Sequence, residues 1–185
     1  MQLHEPRRLF IGLLPDRTVQ MQIQRHAREW TWPEIARPTR FARYHLTLRF
    51  LGEVGSAPES RLRMALRDVA AAPLQLVLDT PVLWRNDIAV LLPQESPGLH
   101  RLQESVAECW PQAGPHFTPH ITLARDAHGA VPPAQEAGIA WTISEFVLVW
   151  SRLDTRPAEY VMLERFGLRG DSASAPPAPQ GTLFD

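Results

Sequence analysis

His45-Leu-Thr-Leu48 is the first of two closely similar stretches in this chain, and His120-Ile-Thr-Leu123 is the second. In both, apolar residues alternate with His and Thr, which is the period of a strand with one buried face. The His and Thr of each stretch therefore share the face turned away from the core. One such stretch is common on ordinary sheets, but a second copy favours a shared site.

The segments that precede the two stretches are also alike. Ile11-Gly-Leu-Leu-Pro15 and Ile88-Ala-Val-Leu-Leu-Pro93 are typical of buried strands, and a helical segment follows each. The two His are 75 residues apart and the two prolines 78. This duplication predicts an α+β fold with two pseudo-symmetric lobes, each an antiparallel sheet with helices on the outside, enclosing a central cleft.

Periodicity and turn residues predict the remaining elements. Asp16 is an N-cap candidate for a helix to about Trp30, and Arg85-Asn86-Asp87 is a hairpin turn. The other predicted helices are 56–71 and 97–110, and the predicted strands are 9–14, 45–51, 74–78, 82–84, 88–92, 116–125, 141–153 and 159–168. The folded domain is expected over residues 1–169, and the Ser/Ala/Pro-rich residues 170–185 are expected to be disordered.

Composition excludes several classes of enzyme. The chain has 185 residues and a formal net charge of −1, and all 19 of its basic residues are Arg. Without Lys there is no GxxxxGK[ST] phosphate loop, no Schiff-base nucleophile and no lysyl adenylate. The single Cys109 excludes an internal disulfide. We expect a cytoplasmic protein, because neither a signal peptide nor a membrane-spanning stretch is evident, and we expect it to be a monomer.

Two His and two Thr facing one cleft suit acid–base chemistry on a phosphodiester. One imidazole can take a proton from the attacking oxygen while the other protonates the leaving oxygen. The Thr hydroxyls can donate hydrogen bonds to phosphate oxygens, and Arg125 can add a bidentate contact. Strict strand alternation places Arg125 on the face opposite His120, so it needs a bulge or the strand end to reach the cleft.

The charge around both stretches is locally positive. Residues 35–52 contain no Asp or Glu but include Arg37, Arg40, Arg43 and Arg49, and residues 109–125 contain no carboxylate either. Such segments favour an anionic substrate, although a solvated basic face is an equal alternative for any single Arg.

The segments 43–52 and 117–125 together resemble the 2H phosphoesterase superfamily, and more closely the RNA 2′,3′-cyclic phosphodiesterases, historically called 2′-5′ RNA ligases. The resemblance covers nearly all of the predicted folded chain. It implies that His45 protonates the leaving oxygen, that His120 activates water, and that Thr47, Thr122 and Arg125 bind phosphate. It also places Phe10 and Phe50 near the bound base, where plain core packing is an equal alternative.

The implied reaction opens a 2′,3′-cyclic phosphate at an RNA end to a 2′-phosphomonoester, with no metal or other cofactor. Candidate substrates include tRNA fragments and small cyclic nucleotides. The alternatives are 2′-5′ RNA ligation at the same site, or an RNA-end-binding module without catalysis. Binding alone would keep Thr47, Thr122 and Arg125 but would not need two bases.

Other signals are weaker. His116 and His120 have the spacing of a helical metal pair, but Pro119 lies between them and we reject a metal site. Cys109, Trp84 and Trp150 are interpreted as buried packing residues. Gln180-Gly-Thr-Leu-Phe184 resembles the short peptide that docks on bacterial sliding clamps, although an accidental tail ending is the more frequent explanation at this length.

Overall fold

The computed structural model describes residues 5–112, 116–152 and 159–169 of the chain. The tail expected to be disordered, residues 170–185, and the Gln180–Phe184 peptide within it lie outside the described residues. In the part that is described, no helix is long and apolar enough to cross a membrane.

The described ranges form nine strands, three α-helices and one 3₁₀ helix over residues 41–43. The strands are β1 (Arg7–Leu13), β2 (Arg37–Pro38), β3 (Leu46–Val54), β4 (Leu74–Leu83), β5 (Ala89–Pro93), β6 (Ile121–Arg125), β7 (Ile139–Ile143), β8 (Glu145–Arg152) and β9 (Glu159–Gly167). The helices are α1 (Arg17–Ala27), α2 (Ser56–Arg67) and α3 (Pro97–Glu108).

One antiparallel sheet contains all the strands, in the order β7-β4-β5-β6-β3-β1-β8-β9, with β2 paired to β6 beside β3. The contact between β6 and β3 is the middle of this eight-strand order, which divides into β7-β4-β5-β6 and β3-β1-β8-β9, and each half contains one copy of the repeat. The α+β, two-lobed prediction is confirmed. The lobes share one sheet, because Leu46 of β3 pairs with Ile121 of β6.

The helices lie on one face of the sheet, and α1 and α3 connect its two halves. Asp16 caps α1 as predicted, accepting a hydrogen bond from the Val19 N–H at 2.9 Å. Helix α1 packs against β7 and α3 against β3, so each helix crosses to the half that contains the other repeat. Leu99, Leu102 and Val106 of α3 are fully buried. Each such side chain contributes about 1.5–3 kcal/mol of burial free energy.

The opposite face of the sheet is left open to form the cleft. Alternation along β1 places Leu9 and Ile11 in the main core under the helices, whereas Phe10 joins Val147 and Val149 in a small second cluster on the open face.

Several boundaries differ from the predictions. Helix α1 ends at Ala27 rather than Trp30, and β3 continues past Gly52, which adopts a positive φ of 72° within the strand. Segments 74–78 and 82–84 are one strand with an irregularity after Leu78. The predicted strand 141–153 is two strands divided at Ser144, which pair at opposite halves of the sheet.

Candidate active site

A cavity of about 530 Å³ opens on the helix-free face, where the two halves of the sheet meet. This volume is within the usual range of small-molecule sites. Its lining contains five Arg and no Asp or Glu among the residues that the structure describes. The lining residues are Arg8, Phe10, Arg37, Pro38, Thr39, Arg40, Arg43, His45, Thr47, Phe50, His120, Thr122, Arg125, Ser151 and Tyr160.

Strand register brings the two His-x-Thr stretches together in this cavity. Because Leu46 pairs with Ile121 in antiparallel fashion, His45 lies across from Thr122 and Thr47 lies across from His120. Leu46 and Ile121 point into the core and are fully buried. The four polar side chains therefore form a compact group on the open face, related by the pseudo-twofold axis.

A bulge in β3 and an equivalent bulge in β6 turn Phe50 and Arg125 into the cavity. Thr47 and Arg49 pair with consecutive residues of β1, so Leu48 is extra, and Thr122 and Ala124 pair with consecutive residues of β5, so Leu123 is extra. An extra residue reverses the alternation beyond it. Arg125 therefore reaches the cavity on the same face as His120, and Phe50, its equivalent 75 residues earlier, does so on β3.

The same bulge directs Arg49 away from the cavity. Its guanidinium Nη2 donates hydrogen bonds to the backbone carbonyls of Trp110, at 3.2 Å, and Gln112, behind the sheet. The expectation that Arg49 helps to attract an anionic substrate is therefore wrong, because its guanidinium lies on the other side of the sheet. Arg37, Arg40 and Arg43 line the cavity.

Both imidazoles are oriented by the same backbone contact. His45 Nδ1 lies 2.8 Å from the carbonyl oxygen of Arg43, and His120 Nδ1 lies 2.7 Å from that of Thr118. A carbonyl oxygen only accepts, so Nδ1 carries the proton and donates in each case. This leaves Nε2 of each ring as the nitrogen available to a substrate.

The environment lowers the pKa of both imidazoles. For His45 and for His120 burial is the main cause, since it disfavours the charged ring, and the backbone hydrogen bond at Nδ1 opposes it in part. The positive charge of Arg125 lowers the pKa of both rings further, and His120 also lowers that of His45. The anionic phosphate of a substrate would act in the opposite direction.

Aromatic rings hold His45 from two sides. Phe10 lies 4.9 Å from the His45 ring between centroids, and Tyr160 of β9 meets it edge-on at 5.1 Å. The guanidinium of Arg43 lies 4.4 Å from the Tyr160 ring centroid, a cation–π contact. Tyr160 is absent from the sequence-based set of site residues, because strand period alone does not say which half of the sheet β9 joins.

The structure distinguishes the two Phe residues. Phe10 is 3% exposed and packs against His45 and Tyr160, so little of its ring is available to a base. Phe50 is 42% exposed, with the Arg8 guanidinium 4.8 Å from its centroid. Phe50 therefore keeps the ring surface that stacking needs, and Phe10 acts as a wall behind His45.

The interpretation of Trp84 as a core residue is wrong. Its half-buried ring meets the His120 ring edge-on, with centroids 4.6 Å apart. Trp150 packs against the core as expected. Cys109 is partly buried at the end of α3, where burial raises the pKa of its thiol. In the described ranges no group of three or more His, Cys, Asp or Glu is placed to hold a metal ion.

Known proteins are similar to this chain in sequence over most of their length. A family model for the 2′-5′ RNA ligase superfamily matches residues 15–155. The RNA 2′,3′-cyclic phosphodiesterase of Escherichia coli (strain K12) is 32% identical over 178 residues, which cover 90% of this chain and 99% of that protein. A protein of the same name from Thermus thermophilus is 32% identical over 157 residues, 69% of this chain and 73% of that protein.

Solved structures with the same fold are also similar to this chain. The crystal structure of E. coli LigT in the apo form superposes with a TM-score of 0.82 at 30% identity, covering 89% of this chain and 99% of that one. LigT complexed with 3′-AMP gives a TM-score of 0.80 at 31% identity over the same shares of the two chains. From the family match and these relatives, the chain belongs to the 2′-5′ RNA ligase superfamily, which the paired His-x-Thr stretches indicate.

Proposed function

We propose that this chain hydrolyses 2′,3′-cyclic phosphates at RNA ends to 2′-phosphomonoesters by acid–base catalysis with two His. The observation that carries the proposal is the pairing across β3 and β6, which sets two imidazoles with free Nε2 atoms and two Thr hydroxyls around one cavity. Relatives 32% identical to this chain are RNA 2′,3′-cyclic phosphodiesterases, which supports the same reaction here.

In the proposed reaction, neutral His120 takes a proton from water through Nε2 as the water oxygen attacks phosphorus. The bond from phosphorus to the 3′ oxygen breaks, and protonated His45 gives its Nε2 proton to that oxygen. The products are a 2′-phosphate and a free 3′-hydroxyl. The two rings exchange protonation states and return to the starting state through solvent.

Four other cavity residues bind the substrate in this proposal, three at the phosphate and one at the base. Thr47 and Thr122 donate hydrogen bonds to the non-bridging oxygens, where negative charge increases in the transition state. Arg125 adds a charge-assisted contact from the end of β6. The exposed ring of Phe50 stacks against the terminal base.

The test of this function is product analysis on an oligonucleotide with a 2′,3′-cyclic end. We expect a 2′-phosphate product at the same rate in excess EDTA, because the two imidazoles supply both proton transfers. Loss of activity in EDTA that a divalent ion restores would contradict the mechanism. Joining to a 5′-hydroxyl strand would favour the ligase alternative, and tight binding without turnover would favour an RNA-end-binding module.

We expect a bell-shaped pH profile of kcat/KM with its maximum on the acid side of 6.5. Catalysis requires His120 without its proton and His45 with one. The two limbs report the pKa values of this interacting pair, and both are lowered from 6.5 in the free protein. Bound phosphate raises both values, so the profile of kcat should lie at higher pH.

Arg125→Gln provides the matched test of that pH profile. Removing its positive charge should move both limbs of kcat/KM to higher pH in addition to weakening phosphate binding. A basic limb above 6.5 in the unaltered protein would contradict the lowered pKa values.

A further inference from the structure

The cavity carries more positive charge than the reacting group requires. Five Arg and no carboxylate line it within the described residues. A 2′,3′-cyclic phosphodiester bears a single negative charge, which Arg125 beside the two His is placed to balance. The other four Arg therefore suggest that the substrate carries a second anionic group.

Three of the other four Arg are engaged with neighbouring side chains. Arg8 and Arg43 lie over the rings of Phe50 and Tyr160, and Arg37 forms an ion pair with Asp126. Arg40 is exposed and, within residues 5–112, 116–152 and 159–169, its guanidinium makes no hydrogen bond or ion pair.

The backbone around Arg40 is held firmly, although its side chain is free. The Thr39 N–H donates to the Leu123 carbonyl at 2.8 Å, and the Arg43 N–H donates to the Arg40 carbonyl at 2.8 Å. Arg40 is thus fixed beside the bulge of β6, at the end of the cavity where Arg125 lies. A backbone held in this way keeps the Arg40 guanidinium at this end of the cavity, where it can bind an anion.

The order of groups along the cleft matches the order of groups around a ribose. From the Arg40 end, the antiparallel register gives first His45 with Thr122, then Thr47 with His120, and finally Phe50. In a ribose the 5′ oxygen lies on the side of the 3′ oxygen and the base on the side of the 2′ oxygen. A base against Phe50 therefore directs the 5′ oxygen toward Arg40 and the 3′ oxygen toward His45.

From this we infer that Arg40 binds the phosphate on the 5′ oxygen of the terminal ribose. The inference rests on the proposed function, because it names the substrate class of the same site: RNA ends and 5′-phosphorylated nucleotides in preference to nucleoside 2′,3′-cyclic phosphates. It also explains why His45, rather than His120, faces the leaving 3′ oxygen.

The test compares two substrates that differ by one phosphate, a nucleoside 2′,3′-cyclic phosphate with and without a 5′-phosphate. We expect kcat/KM to be about tenfold higher with the 5′-phosphate, as a charge-assisted contact provides. In Arg40→Gln this ratio should fall toward one. The salt dependence of kcat/KM for the phosphorylated substrate should also become shallower, because one charge-to-charge contact with the substrate is lost.

Arg101→Gln is the matched control, since Arg101 is exposed on α3, on the opposite face of the sheet. It removes the same charge and should leave the ratio and the slope unchanged. A ratio of one in the unaltered protein, or a ratio that survives Arg40→Gln, would overturn the inference. Failure to hydrolyse the 5′-phosphorylated substrate by an enzyme that opens an oligonucleotide with a 2′,3′-cyclic end would also overturn it. Failure on the oligonucleotide as well would instead reject the proposed function.

Discussion

Replacing either His45 or His120 by Ala is expected to lower kcat by roughly 10²–10⁴-fold, the usual contribution of a general acid or base. Each imidazole has its Nδ1 committed to a backbone carbonyl, so Nε2 is the atom that transfers the proton, and replacement by Ala removes it. Initial rates on an oligonucleotide with a 2′,3′-cyclic end measure the effect. His128→Ala is the control, because that side chain is 87% exposed on a turn away from the cavity.

A substrate with a modified leaving group distinguishes the proposed acid, His45, from the proposed base, His120. With sulfur in place of the bridging 3′ oxygen, the leaving thiolate needs no proton, so His45→Ala should recover most of the lost rate. His120→Ala should not recover, because water must still be deprotonated. Recovery of His120→Ala instead would exchange the two assignments, and near-normal turnover of either variant on the ordinary substrate would reject the mechanism.

The duplicated pattern was sufficient to predict the centre of the fold. Each His-x-Thr stretch has the period of a strand, and the similar spacing of the two copies, 75 residues between the His and 78 between the prolines, predicts that equivalent strands meet at a pseudo-twofold axis. The pairing of Leu46 with Ile121 follows from that symmetry. The helices followed from caps and apolar stripes, which are local signals.

What the sequence could not predict depends on pairing between distant strands. Strict alternation puts Arg125 on the wrong face, and only the pairing of β6 with β5 reveals the extra residue at Leu123. The same holds for Leu48, which turns Arg49 behind the sheet and Phe50 into the cavity. Tyr160 reaches His45 because β9 joins the far side of β8, a choice that no local signal encodes.

The duplication yields a symmetric catalytic centre with different surroundings. Beyond the bulges, the same position is Phe50 in one copy and Arg125 in the other. One end of the cavity therefore suits a base and the other a phosphate. In the proposed reaction, a substrate lying across the two equivalent His then has a single orientation, and that orientation would make one His the acid and the other the base.

Gly12 is the position where a single added methyl group should disturb this centre most. A Cβ there would lie 2.8 Å from the Leu46 carbonyl oxygen and 3.2 Å from Cε2 of Phe10. The Phe10 ring lies over Gly12 and reaches His45 because no side chain intervenes. Gly12→Ala must therefore separate β1 from β3 or displace the Phe10 ring, and both changes move the support of His45.

We expect Gly12→Ala to lower the free energy of unfolding by about 1–3 kcal/mol, as overpacking does. We also expect kcat to fall roughly tenfold to a hundredfold in the folded enzyme, because His45 is misplaced. Denaturant titration measures the first and initial rates well below the melting transition measure the second. Gly98→Ala in α3 is the control, since its nearest contact is an ordinary 3.6 Å from Leu74.

The pH profile distinguishes loss of positioning from general weakening. Burial is the main cause of the low pKa of His45, so loosening its surroundings should raise that pKa and move the kcat/KM profile to higher pH. General weakening would reduce stability and leave the limbs in place. Normal stability with an unchanged pH profile in Gly12→Ala would mean that the contact between Phe10 and His45 does not position the acid, and Tyr160 alone would then hold the ring.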